Sequence, residues 1–91
     1  MPELQWDDQN VWHLARHLIT PEEVQELFDD RVISRRRGLR APDRIWIFGR
    51  TASGRYLKLI CQKVPSGAFR PFTGWEMNRF EREQYERQTG R

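Results

Sequence analysis

The chain has 91 residues, 37% hydrophobic and 32% charged, with a net charge of +3 and a mean hydropathy of −0.87. That length admits one core, a single domain over residues 1–91, and excludes a two-domain machine, while four Trp, five Phe and two Tyr exclude a disordered chain. No apolar run approaches the ~20 residues of a membrane helix and Met1-Pro2-Glu3 lacks the look of a signal peptide, so no membrane association and a cytoplasmic location are expected.

Leu4-Gln5-Trp6 reads as a short edge strand. Asp7 or Asp8 then caps a helix to about Leu18, in which Val11, Leu14, Ala15 and Leu18 fall at i, i+3, i+4 and i+7 on one apolar stripe. Thr20-Pro21-Glu22-Glu23 is a capping box with Pro at the first helical position, which starts a second helix running to about Phe28 and burying Val24, Leu27 and Phe28. Val32 and Ile33 begin a candidate strand, and Arg35 to Pro42 reads as a flexible basic loop. Arg44–Arg50 and Arg55–Lys63, joined by Thr51-Ala52-Ser53-Gly54, read as a β-hairpin. With Arg50 opposite Tyr56, alternation puts Ile45, Ile47, Leu57, Leu59 and Cys61 on one face, and Trp46, Phe48, Arg50, Tyr56, Lys58 and Ile60 on the other. The first face suits a core under helices; the second mixes aromatics with cations, as a nucleic-acid platform does. Ala68 to Thr73 makes a further strand with Arg70 and Phe72 on a shared face, and Asn78 caps a last helix from about Arg79 to Gln88, closed by Gly90. The expected fold is α+β, a small antiparallel sheet packed on helices in the order β-α-α-β-β-β-α.

Charge is strongly segregated. Residues 1–30 hold eight acids against one arginine, a balance of −7, whereas residues 31–70 hold eleven cations against Asp43 alone, a balance of +10. An Arg-rich stretch of this kind suits phosphate oxygens, which the guanidinium fork binds bidentately. The acidic first third folding over the basic middle is the alternative.

The lone Cys61 excludes an internal disulfide and a cysteine-based zinc cluster. His13 and His17 have a metal-compatible spacing but no third ligand at a motif position, which favours a polar helix face shared with Arg16 over a metal site. Lys58 interrupts a strand that is apolar on both sides, so its ammonium either reaches a wet groove or meets an anion, unless it simply points outward. A chain of this kind needs no metal to cut RNA: the 2′-hydroxyl is the nucleophile, and cations align it and neutralise the phosphorane.

Trp6-Asp7-Asp8-Gln9-Asn10, His13, Arg16-His17, Thr20-Pro21-Glu22-Glu23-Val24, Phe48-Gly49-Arg50-Thr51, Gly54-Arg55-Tyr56-Leu57, Arg70-Pro71-Phe72-Thr73, Met77, Glu81-Arg82 and Tyr85 together resemble the BrnT family of toxins from bacterial type II toxin–antitoxin systems. The resemblance spans nearly the whole chain in order. It implies a RelE-like fold, RNA cleavage without metal or other cofactor, and a cognate ribbon-helix-helix antitoxin that neutralises the toxin. By position it assigns the family's cationic cluster to Arg50 and Arg70, with the basic loop of Arg35, Arg36, Arg37 and Arg40 nearby as RNA contacts.

On that basis Arg50 and Arg70 are expected to stabilise the phosphorane, Lys58 to bind a phosphate, and Trp46 or Tyr56 to offer a face to a base. Glu76 is the candidate base, against the plainer reading of an exposed glutamate at a helix entry. Two departures stand out: Gly74-Trp75 replaces the family's Ala-Arg after the last strand, removing a cation, and Leu18 replaces the Gly that commonly follows the His at the end of the first helix. The first keeps a second reading alive, a non-catalytic RNA- or protein-binding module on the same fold. A purely structural partner protein, with no affinity for RNA, is a third.

Overall fold

A computed structural model describes residues 3–36 and 43–90. Three helices and four strands follow in the order α1 (Asp8–Arg16), α2 (Pro21–Asp29), β1 (Ile33–Arg36), β2 (Arg44–Arg50), β3 (Tyr56–Lys63), β4 (Phe69–Glu76) and α3 (Arg79–Thr89). The fold is α+β, as the sequence pattern indicates. Among the described residues no helix is long and apolar enough to cross a membrane.

Each helix starts where a side chain can satisfy its orphan backbone donors. Asp7 caps α1 in a reciprocal box with Asn10, Thr20 caps α2 with Glu23, and Asn78 caps α3 with Glu81. The end of α1 is less comfortable. Ile19 N–H donates to the Leu14 carbonyl and Leu18 N–H to that of Ala15, a Schellman closure that puts Leu18 at φ +60. The helix therefore stops at Arg16, two residues short of the expected end, and Leu18 is 79% exposed instead of completing an apolar stripe.

The sheet runs β1-β2-β3-β4, every pair antiparallel. Arg50 stands opposite Tyr56, the register on which the expected division of the two faces rests. Arg35 and Arg36, expected in a flexible loop, lie with their backbones in β1 opposite Trp46 and Ile45; Arg37 and Arg40 lie outside the described residues. The expected leading strand at Leu4–Trp6 is only an isolated bridge from Leu4 to Phe69, because after two backbone hydrogen bonds to Phe69 the chain turns into the Asp7 cap.

Period-2 alternation divides the sheet into two faces. Ile47, Leu57, Leu59 and Cys61 are buried against Leu14, Ile19, Val24, Leu27 and Phe28, with Ile45 packed at the margin, so α1 and α2 cover the inner face. Gly74 makes this fit: a Cβ there would lie 2.6 Å from Leu59 Cδ2 and 2.9 Å from the Lys58 carbonyl. The third helix takes the outer face. It is polar and buries only Tyr85, whose hydroxyl donates to the Arg31 carbonyl.

Candidate nucleic-acid interface

The outer face is assembled by register. Phe48, Lys58 and Trp75 lie in one row across β2, β3 and β4, and Trp46, Ile60 and Thr73 in the next. The register then slips between Ile60 and Cys61, from Thr73 to Pro71, which leaves Phe72 as an extra residue in a bulge. Arg44, near the start of β2, places its guanidinium 4.7 Å from the Phe72 ring centre.

Helix α3 closes one half of this face. Lys58 Nζ donates to both Glu81 carboxylate oxygens at 2.8 Å, and Tyr56 Oη donates to Glu86 at 3.0 Å. Arg82 lies 4.2 Å above the Tyr56 ring, and Tyr85 meets that ring edge-on. Burial pushes the Glu81 carboxyl up, but the hydrogen bonds from Lys58 and the Asn78 backbone, with the Lys58 charge, hold it below the ordinary carboxylate range. Of the readings open for Lys58, meeting an anion is the one observed.

A continuous aromatic row runs from Phe48, which shares a cavity of about 290 Å³ with Phe80, Glu81 and Tyr85 of α3, into the uncovered half. Trp46 stacks with Phe48 at 6.1 Å between ring centres and leans on Trp75 at 6.1 Å. His17 meets Trp75 edge-on at 5.7 Å, and His13 lies 5.4 Å from His17. These histidines reach the sheet because α1 is anchored one turn earlier. Asn10, fully buried, donates from Nδ2 to the carbonyls of Gln5 (3.0 Å) and Pro71 (2.8 Å). Residues 10, 13 and 17 share a helix face, so fixing Asn10 on β4 swings both imidazoles onto the rim of the outer face, with His13 Nε2 3.2 Å from Thr73 Oγ1. Arg16, beside them on the helix, lies 5.1 Å over the Trp12 ring. Among the described residues no third His, Cys, Asp or Glu joins the two in a group that would hold a metal ion.

A cleft of about 180 Å³ opens beside His13, lined by Gln9, Asn10, His13, Arg70 and Phe72. Arg70 is held there by Asp7, whose Oδ2 accepts from Nε at 3.0 Å and from Nη2 at 2.9 Å. The Asn10 backbone N–H and the Arg70 guanidinium keep the Asp7 carboxyl below its usual range.

The four residues expected to work on the phosphate do not converge. Arg50 stands opposite Tyr56 and Arg70 opposite Gln62. Those rows lie six positions apart along β3, about 20 Å at ~3.3 Å per residue, too far for both guanidinium groups as held here to grip one phosphate. Arg50 lies 5.5 Å over Tyr56 at one end of the sheet, Arg70 rests on Asp7 at the other, and Lys58 is held by Glu81 between them. Glu76, opposite Leu57, belongs to the inner parity, is largely exposed and sits 3.5 Å from Arg55. Of the two candidate base platforms, Trp46 lies in the aromatic row and Tyr56 lies under α3.

Sequence reasoning missed Trp75, His13 and His17 as members of one surface. The available signal was Asn10-x-x-His13-x-x-x-His17 on a single helix face. Compared with known proteins, the sequence matches no family model and no curated protein, so the surface is read from its own residues.

Proposed function

We propose that this chain is a metal-independent ribonuclease toxin of the type II toxin–antitoxin kind, acting in the cytoplasm on RNA laid across the half of the outer face that α3 leaves uncovered. The observation that carries the reading is the run Phe48, Trp46, Trp75, His17 and His13, with Phe72 beside it and Arg44 and Arg70 at its edge. Aromatic faces stack bases of any sequence, and flanking cations hold the backbone. The BrnT-like motif series supports the same reading and adds a ribbon-helix-helix antitoxin as the neutralising partner, with an acidic segment that meets the +10 stretch and competes with RNA.

The test is cleavage of single-stranded RNA by the purified chain in excess EDTA. A 2′,3′-cyclic phosphate product, blocked by a 2′-deoxy substitution at the cut, is the expected result; intact RNA at every protein concentration overturns the nuclease reading. A second reading, RNA binding without cleavage, is favoured by one geometric fact. The nominated cations are spread along the sheet, and Lys58 and Arg70 each already hold a carboxylate. Retained, salt-sensitive RNA binding in the absence of cleavage would select it.

A further inference from the structure

We infer that His13 and His17 are the acid–base pair of RNA cleavage in this chain, an inference that rests on the nuclease reading and supplies the proton chemistry that scattered arginines cannot. Cleavage through the 2′-hydroxyl needs two proton transfers: one off the attacking oxygen and one onto the departing 5′-oxygen. Guanidinium groups do neither at working pH, because they stay protonated. Glu76 faces the wrong side of the sheet. Imidazole is the side chain whose charge changes between pH 5 and 8, so a neighbouring pair can hold one neutral and one protonated ring at once.

The geometry suits that division. The two ring centres are 5.4 Å apart and mutually tilted by 45°, a separation on the scale of one phosphodiester; His13 Nε2 is taken up by Thr73 Oγ1, so Nδ1 is the nitrogen through which His13 would exchange a proton. Neither ring is loosely held. His13 is fixed by its contact with Thr73, itself buried, and His17 by the edge of Trp75. Anchoring through Asn10 sets both from one rigid turn of α1. Arg70 and Phe72 line the cleft next to His13. The Arg70 guanidinium engages Asp7 through Nε and Nη2, which leaves Nη1 for a non-bridging phosphate oxygen. Trp75 and Trp46 continue the surface from His17, so a nucleotide whose phosphate sits at the pair has an aromatic face beside it for its base.

In the step itself, the 2′-oxygen forms a bond to phosphorus as the bond from phosphorus to the 5′-oxygen breaks. The neutral imidazole takes the 2′-hydroxyl proton and the imidazolium gives its proton to the 5′-oxygen. The products are a 2′,3′-cyclic phosphate and a 5′-hydroxyl, with no redox change and no co-reactant.

The experiment compares the full chain with His13→Gln and His17→Gln on two labelled oligoribonucleotides, one ordinary and one with sulfur bridging at the 5′ leaving position, where a thiolate departs without a proton. Both exchanges are expected to slow cleavage of ordinary RNA by roughly 10²–10⁴-fold, the range for losing general acid or base catalysis. On the bridging-sulfur substrate one variant, and only one, should regain the parent rate. The urea midpoint and far-ultraviolet dichroism of each variant should match those of the parent chain, which separates lost chemistry from a lost fold; His13→Asn repeats the test if glutamine disturbs Thr73. Parent-like cleavage by either variant, or sulfur rescue of both or of neither, overturns the pair and leaves the nuclease reading standing. Failure of the parent chain to cleave either RNA overturns the reading on which the pair depends, and the pair with it.

Discussion

Lys58 of β3 and Glu81 of α3 form a two-pronged ion pair, with Nζ 2.8 Å from each carboxylate oxygen. Both side chains are about four-fifths shielded from solvent, so the pair lies between the weak surface case and the fully buried one. Glu81→Gln is expected to cost about 1–2 kcal/mol, a fall in melting temperature of roughly 4–16 °C for a domain of this size. The same exchange frees the Lys58 charge, so RNA affinity at low salt should rise. Calorimetry and a salt titration of binding check the two halves of the prediction.

Leu18 occupies the left-handed position of the α1 Schellman closure with its side chain in water. A non-glycine residue there carries about 1–2 kcal/mol of steric cost. Leu18→Gly removes it and gives back about 0.5–1 kcal/mol through the greater freedom of the unfolded chain. A net gain of roughly 0.5–1 kcal/mol in urea unfolding is expected. A loss of stability would mean that Leu18 makes a contact that outweighs its backbone conformation.

Trp75 is 39% exposed at the middle of the aromatic row. If it stacks a base, Trp75→Ala should weaken single-stranded RNA binding by roughly 5- to 150-fold, the equivalent of about 1–3 kcal/mol per stacked base. The salt slope should stay as it was, because the phosphate contacts come from arginines. Trp75→Arg should behave differently, steepening the slope by adding a cation to this surface and, if the chain cleaves RNA, raising cleavage. Fluorescence anisotropy across a salt series separates the two variants.

Acid should loosen the outer face in two places. Asp7 and Glu81 are held below the ordinary carboxylate range in the folded chain, Asp7 by the Asn10 N–H and Arg70, Glu81 by Lys58 and Asn78 against its burial. A depressed folded value means the contribution is complete above the unfolded value, near pH 4, and is lost as pH falls through the lower folded one. Urea midpoints should therefore decline from about pH 5 downward, and Asp7→Asn combined with Glu81→Gln should flatten that decline.

The parts of this fold legible in the sequence are those set by local rules. The two faces of the hairpin follow from alternation once Arg50 is set opposite Tyr56, and a slip of one residue would expose Leu57 and Leu59. Thr20-Pro21-Glu22-Glu23 and Asn78 announce their helices through capping chemistry. What escaped depends on contacts distant in sequence. Arg70 finds Asp7 across 63 positions and Lys58 finds Glu81 across 23, so the charges of both nominated cations were already engaged in ways that no local pattern records. Helix α3 shows too weak an apolar stripe to reveal its seat, because one buried tyrosine, the Lys58–Glu81 ion pair and the Tyr56–Glu86 hydrogen bond hold it. The histidines were visible as a spacing, but their direction depends on where Asn10 docks.

Cys61 lies at the centre of the inner face, fully buried, and burial pushes its thiol up to about 12. At neutral pH the sulfur is thus both out of reach and in its unreactive protonated form. The sole thiol of the chain becomes a clock for opening of the core: a small alkylating reagent can mark it only in molecules whose sheet has parted from α1 and α2. The rate of marking then reads the opening free energy under native conditions, without denaturant and without an added label, and any of the variants above can be ranked on that scale.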